Sequence, residues 1–277
     1  MQDQNQKINQ YDNLDYESPD NCFSRVDLLL GKEALDLIAS QRVILFGVGG
    51  VGSWCAEALI RSGIKHLTMV DPDRINLSNM NRQLPATSKT IGELKVEVLK
   101  ERLLEINPEA EIEAIAQIYT EGTSNSFYLH NYHYIVDAID TLTHKAHLLI
   151  ESCKTDAEVF SSMGAGLKMD PLRIHIAEFW KVKGCKLAAA MRQRFRKGEK
   201  PSRKIQCVYS EELLQNKGED NQFDEKEEGD IISRYKPHTN GTMLHITGTF
   251  GFTLASMVLN DINNKLVNMA KIEKHNT

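Results

Sequence analysis

Apolar positions along this chain recur in two periods that alternate. Leu28, Leu29, Leu30, Leu35 and Leu37 stand among polar residues at helical spacing and lead into Val43 to Phe46, an apolar run closed by glycine. A run this short, bounded by Gly, reads as a buried strand. Val51, Trp54, Cys55, Ala58 and Leu59 then fall at i, i+3, i+4, i+7 and i+8, the stripe of an amphipathic helix that Gly63 is placed to end. Leu67 to Val70 predicts a second strand. Val96, Leu99, Leu103 and Ile106 predict a helix stopped at Asn107-Pro108, Ile112 to Ala116 and Tyr134 to Ile139 two further strands, and Thr141 to Cys153 another helix. Strand alternating with helix predicts an α/β fold with a doubly wound, mostly parallel sheet. Right-handed crossovers would then place ligands at the carboxyl ends of the strands.

The ends of the chain follow a different pattern. Residues 1–21 are rich in Gln, Asn and Asp and predict a flexible amino-terminal arm. The core is expected over 22–178, and a C-terminal region over 179–277 where the alternation breaks down. Met243 to Leu259 is strongly apolar but carries His245, Gly248 and Gly251. At that length it predicts a buried terminal helix and no stable membrane span.

Composition narrows the class. The chain has 277 residues, 17 Gly, 7 Pro and 5 Cys, which excludes collagen-like and disulfide-rich secreted proteins. The first twenty residues hold no apolar run of the secretory type, so a reducing cytoplasm is the expected compartment. A net charge of −5 argues on average against a nucleic-acid partner. The average hides a segregation. Lys181 to Lys204 carries ten Lys or Arg against Glu199 alone, a charge of +9, and Glu211 to Asp230 carries nine acids against two Lys, a charge of −7. The acidic stretch, 211–230, is too polar to build a core and predicts an exposed loop.

Gly47-Val48-Gly49-Gly50-Val51-Gly52 lies between the first strand and the amphipathic helix, and Asp71 ends the next strand. Glycines let backbone N–H groups approach phosphate oxygens, the helix start adds a positive dipole end, and the acid accepts from ribose hydroxyls. This context makes the sheet Rossmann-like and the loop a nucleotide site. The following segment separates ATP from NAD. Asp71-Pro-Asp73, Asn79, Arg82, Gln83 and Lys95 gather acids, amides and cations just beyond the ribose acid, a set that a triphosphate attacked at its α-phosphorus needs and a dinucleotide does not. Asp140, closing Asp137-Ala-Ile-Asp140, stands where a Mg²⁺-binding carboxylate would.

These motifs resemble the ThiF, MoeB and HesA adenylating enzymes related to ubiquitin-activating enzymes. Ser161-Ser-Met-Gly-Ala-Gly-Leu-Lys-Met-Asp-Pro, Lys204-Ile-Gln-Cys-Val-Tyr-Ser-Glu-Glu and Gly241-Thr-Met with Thr249-Phe-Gly-Phe are similar to the branch that dehydrates N6-threonylcarbamoyladenosine in tRNA. The resemblance implies that Gly47, Gly49, Gly50 and Gly52 cradle ATP and Asp71 holds the ribose. Asn79, Arg82 and Lys95 would face the phosphates, Asp73 and Gln83 support the site, and Asp140 binds Mg²⁺. Arg25 would be donated across a homodimer interface as an arginine finger. Cys22 stands where some members have an Arg, leaving Arg25 as the nearby candidate. The implied reaction joins the substrate's threonyl carboxylate to AMP, then closes a ring with loss of AMP. A tRNA substrate gives the basic segment a purpose, with Arg192, Arg194, Arg196, Lys197, Arg203 and Lys204 on its phosphates and Trp180 beside them to stack on a base. A cysteine desulfurase or sulfur-acceptor system joins the implied partners.

Two other readings stay open: an adenylyltransferase for the C-terminal Gly-Gly of a ubiquitin-like or sulfur-carrier protein, and a non-catalytic nucleotide-binding scaffold. Cys22, Cys55, Cys153, Cys185 and Cys207 form no Cys-x-x-Cys pair, so the structural zinc of many relatives is not expected. Cys207 lies where thioester-forming relatives place a nucleophile, but its apolar neighbours predict a strand.

Overall fold

The computed structural model describes residues 21–218 and 240–275. The amino-terminal arm to residue 20 and most of the acidic stretch, 219–230, lie outside the described residues. Two short helices, α1 (Ser24–Leu30) and α2 (Lys32–Ser40), stand where the sequence predicts one. Gly31 separates them at φ 86°, a left-handed conformation that ends the first and starts the second. The order then runs β1 (Arg42–Phe46), α3 (Gly52–Arg61), β2 (His66–Val70), α4 (Lys95–Ile106), β3 (Glu111–Ile115), β4 (Tyr134–Asp137) and α5 (Leu142–Ser152). After it come β5 (Glu158–Ser162), β6 (Ile174–Glu178), α6 (Lys186–Lys197), β7 (Gln206–Ser210) and α7 (Leu244–His275).

Seven strands form one sheet in the order β3-β2-β1-β4-β5-β7-β6. Every pair is parallel except β6 against β7. From β1 the chain adds strands toward one edge up to β3 and then, from β4, toward the other, and such a switch point opens a crevice at the carboxyl ends of β1 and β4. The glycine loop leaves β1 at that crevice. Beyond residue 178 the chain returns through α6 to place β7 between β5 and β6, so the basic segment is built onto the same sheet as the core.

The central strands are buried on both faces, which is why Val43 to Phe46 reads as an unbroken apolar run. One face packs on α3, α4 and α7 around Leu45, Leu59, Phe250 and Val258. The other packs on α5 and α6 around Phe46, Leu149, Phe179 and Phe195. Helix α7 is anchored by Gly251, whose missing side chain lets the helix lie against the Val51 carbonyl and Trp54 at the start of α3. The Tyr134 hydroxyl, on β4, donates to Asp261 Oδ2 of α7 at 2.8 Å. No helix among the described residues is long and apolar enough to cross a membrane.

Candidate active site

The glycine loop is shaped by contacts only glycine allows. Gly47 has φ 87°, and a Cβ there would meet the Ala138 carbonyl oxygen at 2.8 Å. At Gly52 a Cβ would collide with the Gly47 carbonyl, so the loop folds back on itself as α3 begins. Ser53 Oγ donates to the Gly49 carbonyl at 2.6 Å and accepts from Leu84 N at 3.2 Å, tying the loop to the segment that follows Gln83. Ser53 N and Cys55 N donate to the Gly49 and Val51 carbonyls at 3.1 Å each, which joins the loop directly to the start of α3, where a helix dipole favours phosphate.

Asp71, at the end of β2, is buried against this loop. Its Oδ2 accepts from Val48 N at 2.8 Å and its Oδ1 from Asp73 N at 2.9 Å. Lys95, at the first turn of α4, is also buried; its Nζ lies 2.7 Å from Asp73 Oδ2 and 4.0 Å from Asp71 Oδ1. Burial raises the Asp71 pKa from the usual carboxylate range, opposed by the Lys95 charge and the two N–H donors.

Opposite the loop, a turn over Leu77 to Asn79 sets the amides and the arginine. Asn79 Oδ1 accepts from Asn76 N at 3.0 Å, spending that side chain on shaping the turn. Arg82 Nη1 donates to the Ser78 carbonyl at 2.8 Å and Asn81 Oδ1 at 2.9 Å, and Trp54 Nε1 donates to the Arg82 carbonyl at 3.0 Å. Burial lowers the Arg82 pKa, and the Asp140 charge works against that shift. A Cβ at Gly50 would lie 3.3 Å from Arg82 Cγ, and one at Gly49 would lie 3.7 Å from Gln83 Nε2. Gln83 Oε1 is buried with no hydrogen-bond partner.

Asp140 is exposed just past β4, where its Oδ1 accepts a long 3.5 Å bond from Thr141 Oγ1. Beneath it lies a pair to which the sequence reading gave no role. Asp137 and Lys145 are fully buried, with Lys145 Nζ 2.6 Å from Asp137 Oδ2, which also accepts from Ser161 Oγ at 2.6 Å. The pair grips the peptide before Asp140 from both sides: Ile139 N donates to Asp137 Oδ1 at 3.1 Å, and Lys145 Nζ donates to the Ile139 carbonyl at 3.0 Å. The only sequence signal was a Lys five residues after the second Asp of Asp137-Ala-Ile-Asp140.

The glycine loop, Asp71, Asn79, Arg82, Gln83 and Lys95 thus converge at the switch point of the sheet. The family model described as ThiF matches residues 24–274. This chain is a ThiF-family protein.

Its relatives include the tRNA threonylcarbamoyladenosine dehydratase of Bacillus subtilis, 42% identical over 190 residues, 69% of this chain and 74% of that one. The Haemophilus influenzae dehydratase is 36% identical over 251 residues, 88% of this chain and 94% of that one. Among solved structures, Escherichia coli tRNA N6-threonylcarbamoyladenosine dehydratase, TcdA, in complex with ATP matches with a TM-score of 0.77 at 30% identity, covering 89% of this chain and 95% of that one. Within the ThiF family the chain therefore groups with the dehydratases.

Three sets of residues lie apart from the ThiF nucleotide site. Arg25 is exposed on α1, at the opposite end of the sheet, where Phe23 packs near Gly63 beyond the end of α3. The six basic residues divide. Arg194, Arg196, Lys197 and Lys204 are exposed, whereas Arg192 Nη1 donates to the carbonyls of Val182 at 2.9 Å and Phe179 at 3.3 Å. Arg203 likewise donates to the carbonyls of Ser152 and Ala157. Those two guanidiniums hold protein backbone. Cys207 is buried in β7, and burial pushes its thiol pKa up, away from the thiolate a nucleophile needs.

Proposed function

We propose that this ThiF-family chain dehydrates N6-threonylcarbamoyladenosine at position 37 of tRNA at the expense of ATP. Relatives named for that reaction support the reading across most of their length and most of this chain. The observation that carries it is the convergence of the glycine loop, Asp71, Arg82, Gln83 and Lys95 on one crevice, without an exposed cysteine in it. An enzyme whose substrate supplies both nucleophile and electrophile needs charge and positioning alone.

In the first step the threonyl carboxylate oxygen attacks the α-phosphorus of ATP. The bond from that phosphorus to the bridging oxygen breaks, and pyrophosphate leaves. The Gly49 to Gly52 backbone cradles phosphate oxygens, Asp71 accepts from the ribose hydroxyls, and Gln83 Nε2, the side-chain atom beside Gly49, donates to a phosphate oxygen. Arg82 and Lys95 offset the negative charge that grows on the leaving group; for Lys95 this means exchanging part of its bond to Asp73. In the second step a ureido nitrogen of the same substrate attacks the activated carbonyl. AMP departs with the original carboxylate oxygen, and the ureido proton passes to solvent. The sum is loss of one water from the nucleoside.

Asp140 suits a Mg²⁺ ion carried by the nucleotide. It is an exposed carboxylate braced by the buried pair beneath it, and Mg²⁺ in such sites draws most of its ligands from phosphate oxygens and water. The ion would supply further charge neutralisation there. Exposed Arg25, on a helix remote from its own site, fits donation to a second protomer, so the proposed enzyme is a homodimer.

The test is pyrophosphate release from ATP, with and without tRNA bearing the modification. Modified tRNA should stimulate release in the wild type, and Arg82→Ala or Asp140→Ala should abolish it while leaving the fold intact. Wild-type rates in either variant would remove that residue from the site. Release stimulated by a carrier protein with a Gly-Gly terminus, and not by tRNA, would turn the assignment to protein adenylation.

A further inference from the structure

A second cavity lies along the far edge of the sheet, flanked by β6, β7 and α6, with a volume of about 550 Å³. Its walls combine two aromatic rings, Trp180 and Tyr209, with four cations, Lys181, Lys183, Arg192 and Arg196, and no carboxylate. We propose that this cavity receives a nucleotide of the RNA substrate, its base against Trp180 and its phosphates against Lys181, Lys183 and Arg196. The proposal rests on the tRNA reading above and deepens it by naming where the RNA is held.

The cavity is held in shape by the protein itself. Trp180 packs edge-on against Phe179 at 5.5 Å and tilted against Phe195 at 6.5 Å, yet 41% of it stays exposed. Its backbone N–H donates to Glu178 Oε2 at 3.1 Å, and Arg192 grips the carbonyls on either side of the Trp180-Lys181 turn. A ring fixed at its edge with an open remainder is a stacking platform prepared in advance. Arg192 builds the wall, and the charge available to a ligand comes from Lys181, Lys183 and Arg196. The flanking acid Glu211 is engaged with the Tyr209 side chain and Glu178 with the Trp180 backbone.

The chemistry favours a chain of nucleotides over a free one. The lining holds no acid to take ribose hydroxyls as Asp71 does beside the glycine loop. Arg194, Lys197 and Lys204, exposed elsewhere on the same basic segment, add positive charge for further phosphates. Three strand spacings separate β4, which presents Asp140, from β6. At ~4.8 Å each that is about 14 Å across the sheet, and Trp180, which follows β6 at the level of Ile205, lies further off along the strands toward their amino ends, so the RNA would span both the width and the height of the sheet.

The test is fluorescence anisotropy of a labelled RNA hairpin with the anticodon-loop sequence, titrated with wild type, Trp180→Ala, Trp180→Phe and Lys181→Gln/Lys183→Gln, each checked by its melting midpoint. Trp180→Ala should weaken binding by about ten-fold or more, and Trp180→Phe much less. Because Trp180→Ala removes packing as well, the lysine pair supplies an independent reading: its affinity should fall and its log–log salt slope should flatten by about one to two. Wild-type affinity and slope in both the alanine and the lysine variants would overturn the cavity assignment while leaving tRNA as substrate. Failure of the wild-type protein to bind the hairpin would instead overturn the tRNA reading itself. AMP binding as tight as that of the hairpin, and lost in Trp180→Ala, would overturn the RNA assignment in favour of a mononucleotide.

Discussion

Burial holds the Asp71 carboxyl above the ordinary aspartate range, although Lys95 and two backbone N–H groups pull it down. In the proposed mechanism the ionised form accepts from ribose hydroxyls, so ATP affinity should fall as pH drops through a value higher than the usual ~3.9 of aspartate. Asp71→Asn should bind ATP weakly with that acid limb removed, as a pH series of Kd by calorimetry would show. The linkage to stability has the opposite sense. With its folded pKa above the unfolded one, the folded chain holds more protons in the intervening window, so this residue's contribution to stability declines as pH rises through it. The buried pair under Asp140 makes a separate prediction. Lys145→Met strands the Asp137 charge and should cost about 3–5 kcal/mol in denaturant melts. Adding Asp137→Leu removes the stranded charge and should recover much of that stability, but not pyrophosphate release, because the grip on the Ile139 peptide stays lost. Recovery of both would show that the pair only stabilises. Glycines, acids and cations at the nucleotide site were legible as a spacing. Asp137 and Lys145 were not, since nothing in the sequence tells a buried ion pair from two surface charges; nor did it tell Arg192 and Arg203, which hold carbonyls, from the exposed arginines beside them.

Elements with one apolar period were legible, and those whose burial depends on distant partners were not. β1 to β4 and the helices between them stand close to where the periodicity puts them, as does the strand around Cys207. β5 was missed because Ser161 and Ser162 interrupt its apolar run; both are buried, Ser161 on Asp137. β6 has exposed positions on an outer strand, so it carries little alternation, and the break at Gly31 depends on one left-handed residue. The terminal helix runs on to His275, well beyond its apolar stretch, and its buried apolar positions end at Ile262. Gly251→Ala tests that contact. The new methyl would strike the Val51 carbonyl and Trp54, so we expect a loss of about 1–3 kcal/mol or more and weaker ATP binding, since Val51 belongs to the glycine loop. An unchanged melting midpoint would show that α3 and α7 can separate freely.

At the scale of the whole molecule, a net charge of −5 concealed a +9 stretch and a −7 stretch that nearly cancel. The first of these is built onto the far edge of the same sheet that carries the glycine loop, so one α/β unit holds both the proposed ATP site and the proposed RNA site. Exposed Leu28 and Leu29, 84% and 80% accessible beside Arg25, fit a surface covered by a second copy. If Arg25 acts in trans, Arg25→Ala and Asp140→Ala chains should each be inactive alone. An equal mixture, allowed to exchange subunits, should regain about a quarter of wild-type activity, one intact site in each mixed dimer. No recovery despite exchange would remove Arg25 from the partner's site. The central claim is most directly tested by the mass of the nucleoside released from tRNA bearing N6-threonylcarbamoyladenosine after incubation with the protein, ATP and Mg²⁺. The account predicts the loss of one water from the modified adenosine, with AMP and pyrophosphate formed in step. An unchanged mass, under conditions where the protein adenylates the C-terminus of an added carrier protein, would contradict it.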